Sequence, residues 1–201
     1  MDAIDALAAD IARCRLCRDD PAGGQGRRLP HEPRPVAVLS GRARVLIAGQ
    51  APGLRVHDSG LPFNDASGDR LRHWLGVGRE QFYNEDNFAI LPMGFCFPGY
   101  DKHGSDLPPR RECAPLWRAR ALALMPQVEL VLAIGAYAQS WHLGRKQPMT
   151  DTVRDWRGHL ESGVLPLPHP SWRNTAWLRR NPWFETDLLP ELRTRVSRWI
   201  I

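Results

Sequence analysis

No long apolar run occurs in this 201-residue chain. Stretches such as Val128-Glu129-Leu130-Val131-Leu132-Ala133-Ile134 are far too short to cross a bilayer. A positively charged start is also missing: Asp2 and Asp5 stand at the head of the first apolar stretch, which excludes the pattern of a secretory signal. The expectation is a cytoplasmic protein with no membrane partner. Internal repeats and composition breaks are absent too, so residues 1–201 are expected to form one domain. The charge is not extreme. With 27 basic and 22 acidic residues the net charge is +5, which permits an anionic partner without requiring one. There are only four cysteines, and in a reducing compartment they are not expected to pair as disulfides. Neither G-x-G-x-x-G nor Gly-Lys-Ser/Thr is present, which removes the common dinucleotide and P-loop signatures. What is abundant is proline, at 18 residues, and tryptophan, at 8, so fixed turns and large packing or stacking surfaces are expected.

Four short apolar segments read as strands buried on both faces: Val45 to Ala48, Ala89 to Met93, Leu130 to Ile134 and Val164 to Leu167. Between them lie helix-like stretches at Ser67 to Leu75, Pro109 to Leu124 and Ala136 to Leu143. Strand alternating with helix predicts an α/β fold, a parallel sheet covered on both sides. Ligands of such sheets bind beyond the carboxyl ends of the strands. Chemistry is therefore expected in the loops Gly49 to Phe63, Gly94 to Pro109, Gly135 onward and His169 to Asn181. Residues 1–18 place Ile4, Leu7, Ala8, Ile11 and Ala12 at helical spacing, predicting an N-terminal helix that delivers Cys14 and Cys17. Pro21 to Pro35 reads as irregular surface. Lys146 to Asp155, the polar run Asp101 to Asp106, and Arg193, Arg195 and Arg198 also read as surface. Trp74, Trp117, Trp141 and Trp156 read as core, and Asp65 as a helix N-cap.

Cys14 and Cys17 form a C-x2-C pair whose thiolates can converge on one metal, and Cys96 and Cys113 supply a second pair. Four thiolates suit zinc or an iron–sulfur cluster, and the residues alone leave both open. Gly49-Gln50-Ala51-Pro52-Gly53 makes a tight turn after the first strand that lets backbone approach a ligand. His169-Pro170-Ser171 follows the last strand, where an imidazole can donate to developing negative charge. Trp172, Arg173, Arg179 and Arg180 then mix aromatic and cationic side chains, suited to phosphate contact and wedging into a base stack.

Taken in order, these motifs resemble those of the uracil-DNA glycosylase superfamily, most of all its iron–sulfur branch, family 4, with family 5-like features. The residues that carry the resemblance are Gly49 to Gly53, Gly60-Leu61-Pro62-Phe63, His169-Pro170-Ser171 and the layout of the four cysteines. It implies a four-stranded parallel sheet in a three-layer sandwich and a [4Fe-4S] cluster on Cys14, Cys17, Cys96 and Cys113, zinc being the alternative. It also implies a monomer that excises a deaminated base, uracil first, from DNA. Within that family pattern His169, Gln50 and Ala51 would carry the catalysis. Phe63, Gly49, Pro52 and Gly53 would hold the base, and Ser171, Trp172, Arg173, Arg179 and Arg180 would contact DNA. The family commonly reads uracil with an Asn four residues before the third cysteine. Here that position is Pro92, which has no amide to offer. Asn64 is the candidate replacement. The departure keeps two further readings open: a changed base preference, such as hypoxanthine or xanthine, and a DNA- or lesion-binding protein that does not cleave.

Overall fold

The computed structural model describes residues 2–201. Its centre is a sheet of four parallel strands, β1 (Val45–Ala48), β2 (Phe88–Ile90), β3 (Leu130–Ile134) and β4 (Val164–Leu167), in the order β2-β1-β3-β4. The register sets Val45 opposite both Phe88 and Leu130, and Val131 opposite Val164. The chain leaves β1 toward one edge and returns on its other side at β3, which opens a crevice beyond the strand ends where the direction reverses.

Alternation along β1 sorts the core into two layers. Val45 and Ile47 pack with α4 (Ala66–Leu75) and α11 (Leu189–Val196), through Leu71, Trp74, Leu75, Leu192 and Val196. Leu46 faces the opposite layer, where Leu7 and Ile11 of α1 (Ala3–Ala12) meet Trp117 and Ala121 beside and within α6 (Ala119–Ala123). Each layer hides one apolar face of the sheet, the arrangement that near-continuous apolar strands require.

Several boundaries differ from the sequence reading, each for a local reason. The predicted N-terminal helix over residues 1–18 is two pieces. Asp2 and Asp5 cap α1 reciprocally, α1 ends at Ala12, Cys14 follows in the turn, and Cys17 lies in the separate short helix α2 (Leu16–Asp19). β2 begins one residue earlier than predicted and is formally shorter. Its ladder nevertheless runs on, with Leu91 N–H donating to Ile47 O and Met93 N–H to Gly49 O, while Pro92 between them has no amide to pair. Helix begins at Ala114 rather than Pro109, with a wide turn over Ala114–Arg118 that leads into α6, and Pro115 sits where a first turn tolerates a missing N–H. Lys146 to Asp155 is not all surface: it includes α8 (Met149–Arg154), which buries Thr152 and Val153. Trp141 is exposed on α7 (Gly135–Leu143) rather than core. Arg193 is not a free surface cation either; it donates to the carbonyls of His73 and Trp74 and so closes the end of α4. Among the described residues, no helix is long and apolar enough to cross a membrane.

Candidate active site

A cavity of about 630 Å³ opens in the crevice beyond the strand ends. Its walls come from the segments after β1, β2 and β4. The Gly135 turn after β3 takes no part, because the chain turns at Gly135 with φ +79° straight into α7. Gly49, Gln50, Ala51, Pro52, Gly53 and Phe63 line one wall. The same cavity is lined by His169, Ser171, Trp172 and Arg173. Ile90, Pro92, Pro98, Tyr100 and Asp106 contribute the segment after β2.

Phe63 is held in an unusual way. Its φ of +53° is in the left-handed region, which a bulky side chain rarely adopts. The contacts around it make that conformation the one available. Buried Arg72 donates to the Phe63 carbonyl at 3.2 Å, and Tyr83 Oη donates to the Pro62 carbonyl at 3.0 Å. Asp65 caps α4 by accepting from Gly68 N–H at 2.9 Å. The Phe63 ring meets Phe82 edge-on and reaches Gly49, whose missing side chain leaves room: a Cβ there would lie 3.5 Å from the Phe63 ring tip.

His169 is fixed by its neighbours. Ser171 N–H donates to its Nδ1 at 3.2 Å, and Asn174 Nδ2 donates to its carbonyl at 2.7 Å. Arg70 in turn holds the Ser171 carbonyl. Burial lowers the imidazole pKa; Asp65 and Asp106 oppose the shift, while Arg173 adds to it. A neutral ring whose Nδ1 accepts carries its proton on Nε2, the tautomer able to donate into the cavity.

Two carboxylates near His169 were not in the predicted site. Asp65 is an N-cap as expected, and it also lines the cavity. Asp106 belongs to the polar run read as plain surface. That run folds into a hairpin, with Tyr100 bridged to Asp106 and Asp101 accepting from His103 N–H and Ser105 N–H, and it leans over the cavity. Gln50 ties it down through a 3.4 Å bond from Nε2 to the Leu107 carbonyl. Asp106 is exposed as a residue, yet partial burial against the wall raises its carboxyl pKa, with Arg173 and His169 opposing. Only the Asp-rich composition hinted at this, since the hairpin's contacts are tertiary.

Asn64 does not reach the cavity. Its Oδ1 accepts from Arg79 Nη2 at 3.1 Å, on the far side of the turn at Phe63. It was expected to replace the missing amide at Pro92, and here its side chain is paired with Arg79. Arg179 and Arg180 are exposed at the end of α10 (Thr175–Arg180) and lie outside the cavity wall, while Trp177 of the same stretch is buried and bonded to Thr150. Trp172 is 76 % exposed, with the Arg173 guanidinium 6.0 Å from its ring centre.

The four cysteines are free thiols that line a second, small cavity together with Pro33, Pro35, Phe95 and Trp117. Cys17 and Cys113 share a hydrogen bond that lowers the former's pKa and raises the latter's, and burial pushes the Cys96 thiol up to about 12. Among the described residues, no three His, Cys, Asp or Glu side chains are arranged to hold a single metal ion. Four thiols around one apolar hollow are a donor set of the kind that zinc or an iron–sulfur cluster uses.

The family model described as "Uracil DNA glycosylase superfamily" matches residues 37–193, which include all the residues lining the larger cavity except Val36. The chain belongs to the uracil-DNA glycosylase superfamily. Its four-stranded parallel sheet with flanking helices agrees with that membership. In this superfamily member the Gly49–Gly53 turn, Phe63 and the His169-Pro170-Ser171 turn converge on one space, although well over a hundred residues separate the first from the last.

Proposed function

We propose that this chain is a DNA glycosylase that hydrolyses the N-glycosidic bond of a deaminated base, uracil first, flipped out of DNA. The observation that carries the reading is that Phe63 and His169 line the same cavity, an aromatic ring and an imidazole whose Nδ1 is already occupied. Extruding a base costs about a few kcal/mol. Stacking on Phe63 returns roughly 1–3 kcal/mol of that. As the bond from C1′ to the base nitrogen breaks, its electron pair leaves with the base and the sugar becomes oxocarbenium-like. His169 donates to the base oxygen on which the negative charge gathers. Water adds to C1′, its surplus proton is released, and the base is protonated. Gln50 and the backbone at Ala51 position the base edge or that water. Asp65 and Asp106 supply negative charge that favours an oxocarbenium ion and can order the water. Trp172 is placed to wedge into the base stack, with Arg173, Arg179 and Arg180 on phosphates.

The four-cysteine hollow supports family 4 affinity and a [4Fe-4S] cluster on Cys14, Cys17, Cys96 and Cys113. Such a cluster, when bound, ties α1 and α2 to the segments after β2 and takes no part in bond cleavage. Anaerobically purified protein is expected to contain iron and absorb near about 400 nm, and Cys14→Ser to lose both. A colourless native preparation loaded with zinc contradicts the assignment.

Pro92 in the cavity wall, with Asn64 turned away, favours a second reading in which base preference differs from that of uracil enzymes. A panel of oligonucleotides carrying uracil, hypoxanthine or xanthine, treated with alkali after incubation, tests both readings. Cleavage at uracil above the others supports the first, and cleavage at a purine supports the second. A shifted band with no alkali-labile site on any substrate identifies a binder and overturns the enzymatic reading.

A further inference from the structure

Arg118 has no exposed surface, yet among the described residues no carboxylate pairs with it. Its Nη1 donates to the carbonyls of Leu91 and Pro92, the latter at 3.0 Å, and its Nη2 lies 2.6 Å from His142 Nε2. Its Nε is buried without a partner, and the Trp141 ring centre is 5.8 Å from Cζ. Burial lowers His142 to about 3, so this imidazole is neutral and accepts through Nε2 from a guanidinium that can only donate. Burial also lowers the Arg118 guanidinium, to about 10, which leaves it charged at neutral pH.

A buried charge is ordinarily paired. This one meets only carbonyl oxygens, a neutral imidazole and an aromatic ring. Pro92, whose carbonyl it grips, is part of the wall of the larger cavity. The unpaired cation therefore stands one residue behind the surface against which a flipped base would lie. Low-dielectric surroundings make a fixed charge at that range effective on any charge that develops in the cavity.

We propose that Arg118 is a specificity-determining residue acting through the cavity wall: its charge stabilises the base anion as it departs, so it helps poorer leaving groups most and narrows the dependence of rate on leaving-group acidity. The inference rests on the glycosylase reading of the cavity. The charge supplies stabilisation from behind Pro92, where an amide reader would stand, and the inference names weakly acidic bases such as uracil as the class that depends most on this residue.

The test neutralises the charge without removing the arginine. His142→Asp places a carboxylate against Arg118, and His142→Asn is the neutral control. Excision rates are compared on oligonucleotides carrying uracil or 5-fluorouracil, the better leaving group. His142→Asp is expected to slow uracil release about tenfold more than 5-fluorouracil release, because the poorer leaving group depends more on the cation, while His142→Asn leaves the ratio of the two rates unchanged. Arg118→Met, if it folds, should repeat the His142→Asp pattern. Equal losses on both substrates, or the same ratio in His142→Asp and His142→Asn, overturn the proposal and leave Arg118 a packing residue. Binding of free xanthine at fixed pH, read from its ultraviolet anion spectrum, separates this inference from the reading beneath it. If no base is excised, the glycosylase reading fails. A larger bound-anion fraction in the natural chain than in His142→Asp still supports the role of Arg118, and equal fractions or no binding overturn it.

Discussion

A single backbone amide decides which nitrogen of His169 can act. Ser171 N–H occupies Nδ1, and burial favours the neutral ring, so the proton sits on Nε2. Because the folded pKa is lowered, the neutral donor persists as pH falls through the ordinary histidine value near about 6.5. Excision is therefore expected to stay level across that value and to decline only below it, measured as kcat on a single-uracil oligonucleotide. A rate that climbs on acidification contradicts this and makes the imidazolium the donor. His169→Ala should cost roughly 10²–10³ in kcat with little effect on DNA binding. His169 and Phe63 were legible because each sits in a short loop set by the strand before it. Asn64 was not: the left-handed backbone at Phe63 reverses the chain there and sends the next side chain to Arg79. Asp106 stayed hidden because a polar turn in a sequence does not say what it folds over.

Among the elements, the start of α4 has the tightest tolerance. A Cβ on Gly68 would fall 1.7 Å from the Phe63 carbonyl oxygen, so the third residue of the helix, which donates to the N-cap Asp65, also lets the aromatic wall approach. Gly68→Ala is expected to destabilise the protein by about 2–3 kcal/mol, as overpacking against backbone does, and to impair base capture beyond that loss. Denaturant unfolding and the apparent affinity for uracil-containing DNA check the two parts. Normal stability with normal affinity would show that Phe63 is not held by this contact. Strands were readable from their apolar runs, and β1, β3 and β4 lie where those runs are. Ends were less so, since Pro92 and Pro115 shift where a ladder or helix can formally begin or stop without changing its course.

Across the whole molecule, the strand order does what no local pattern announces. Placing β1 between β2 and β3 brings the turns after β1 and β4 and the hairpin after β2 around one space, and sets the cysteine hollow beside a different part of the chain. Cys14 and Cys17 were expected on one helix; Cys14 instead lies in the break after α1 and Cys17 in α2, yet both still line the hollow with Cys96 and Cys113. The cavity is thus a property of topology, while the motifs are properties of its separate walls. The most direct test asks whether those walls act together. Free base released from a single-uracil oligonucleotide is quantified by mass spectrometry for the natural chain, Phe63→Ala, His169→Ala and the double variant. The account predicts one uracil per abasic site, a large loss in each single variant, and a combined loss smaller than the product of the two because both act on one bound base. Release that is unaffected by both substitutions, or losses that simply multiply, would contradict a shared pocket.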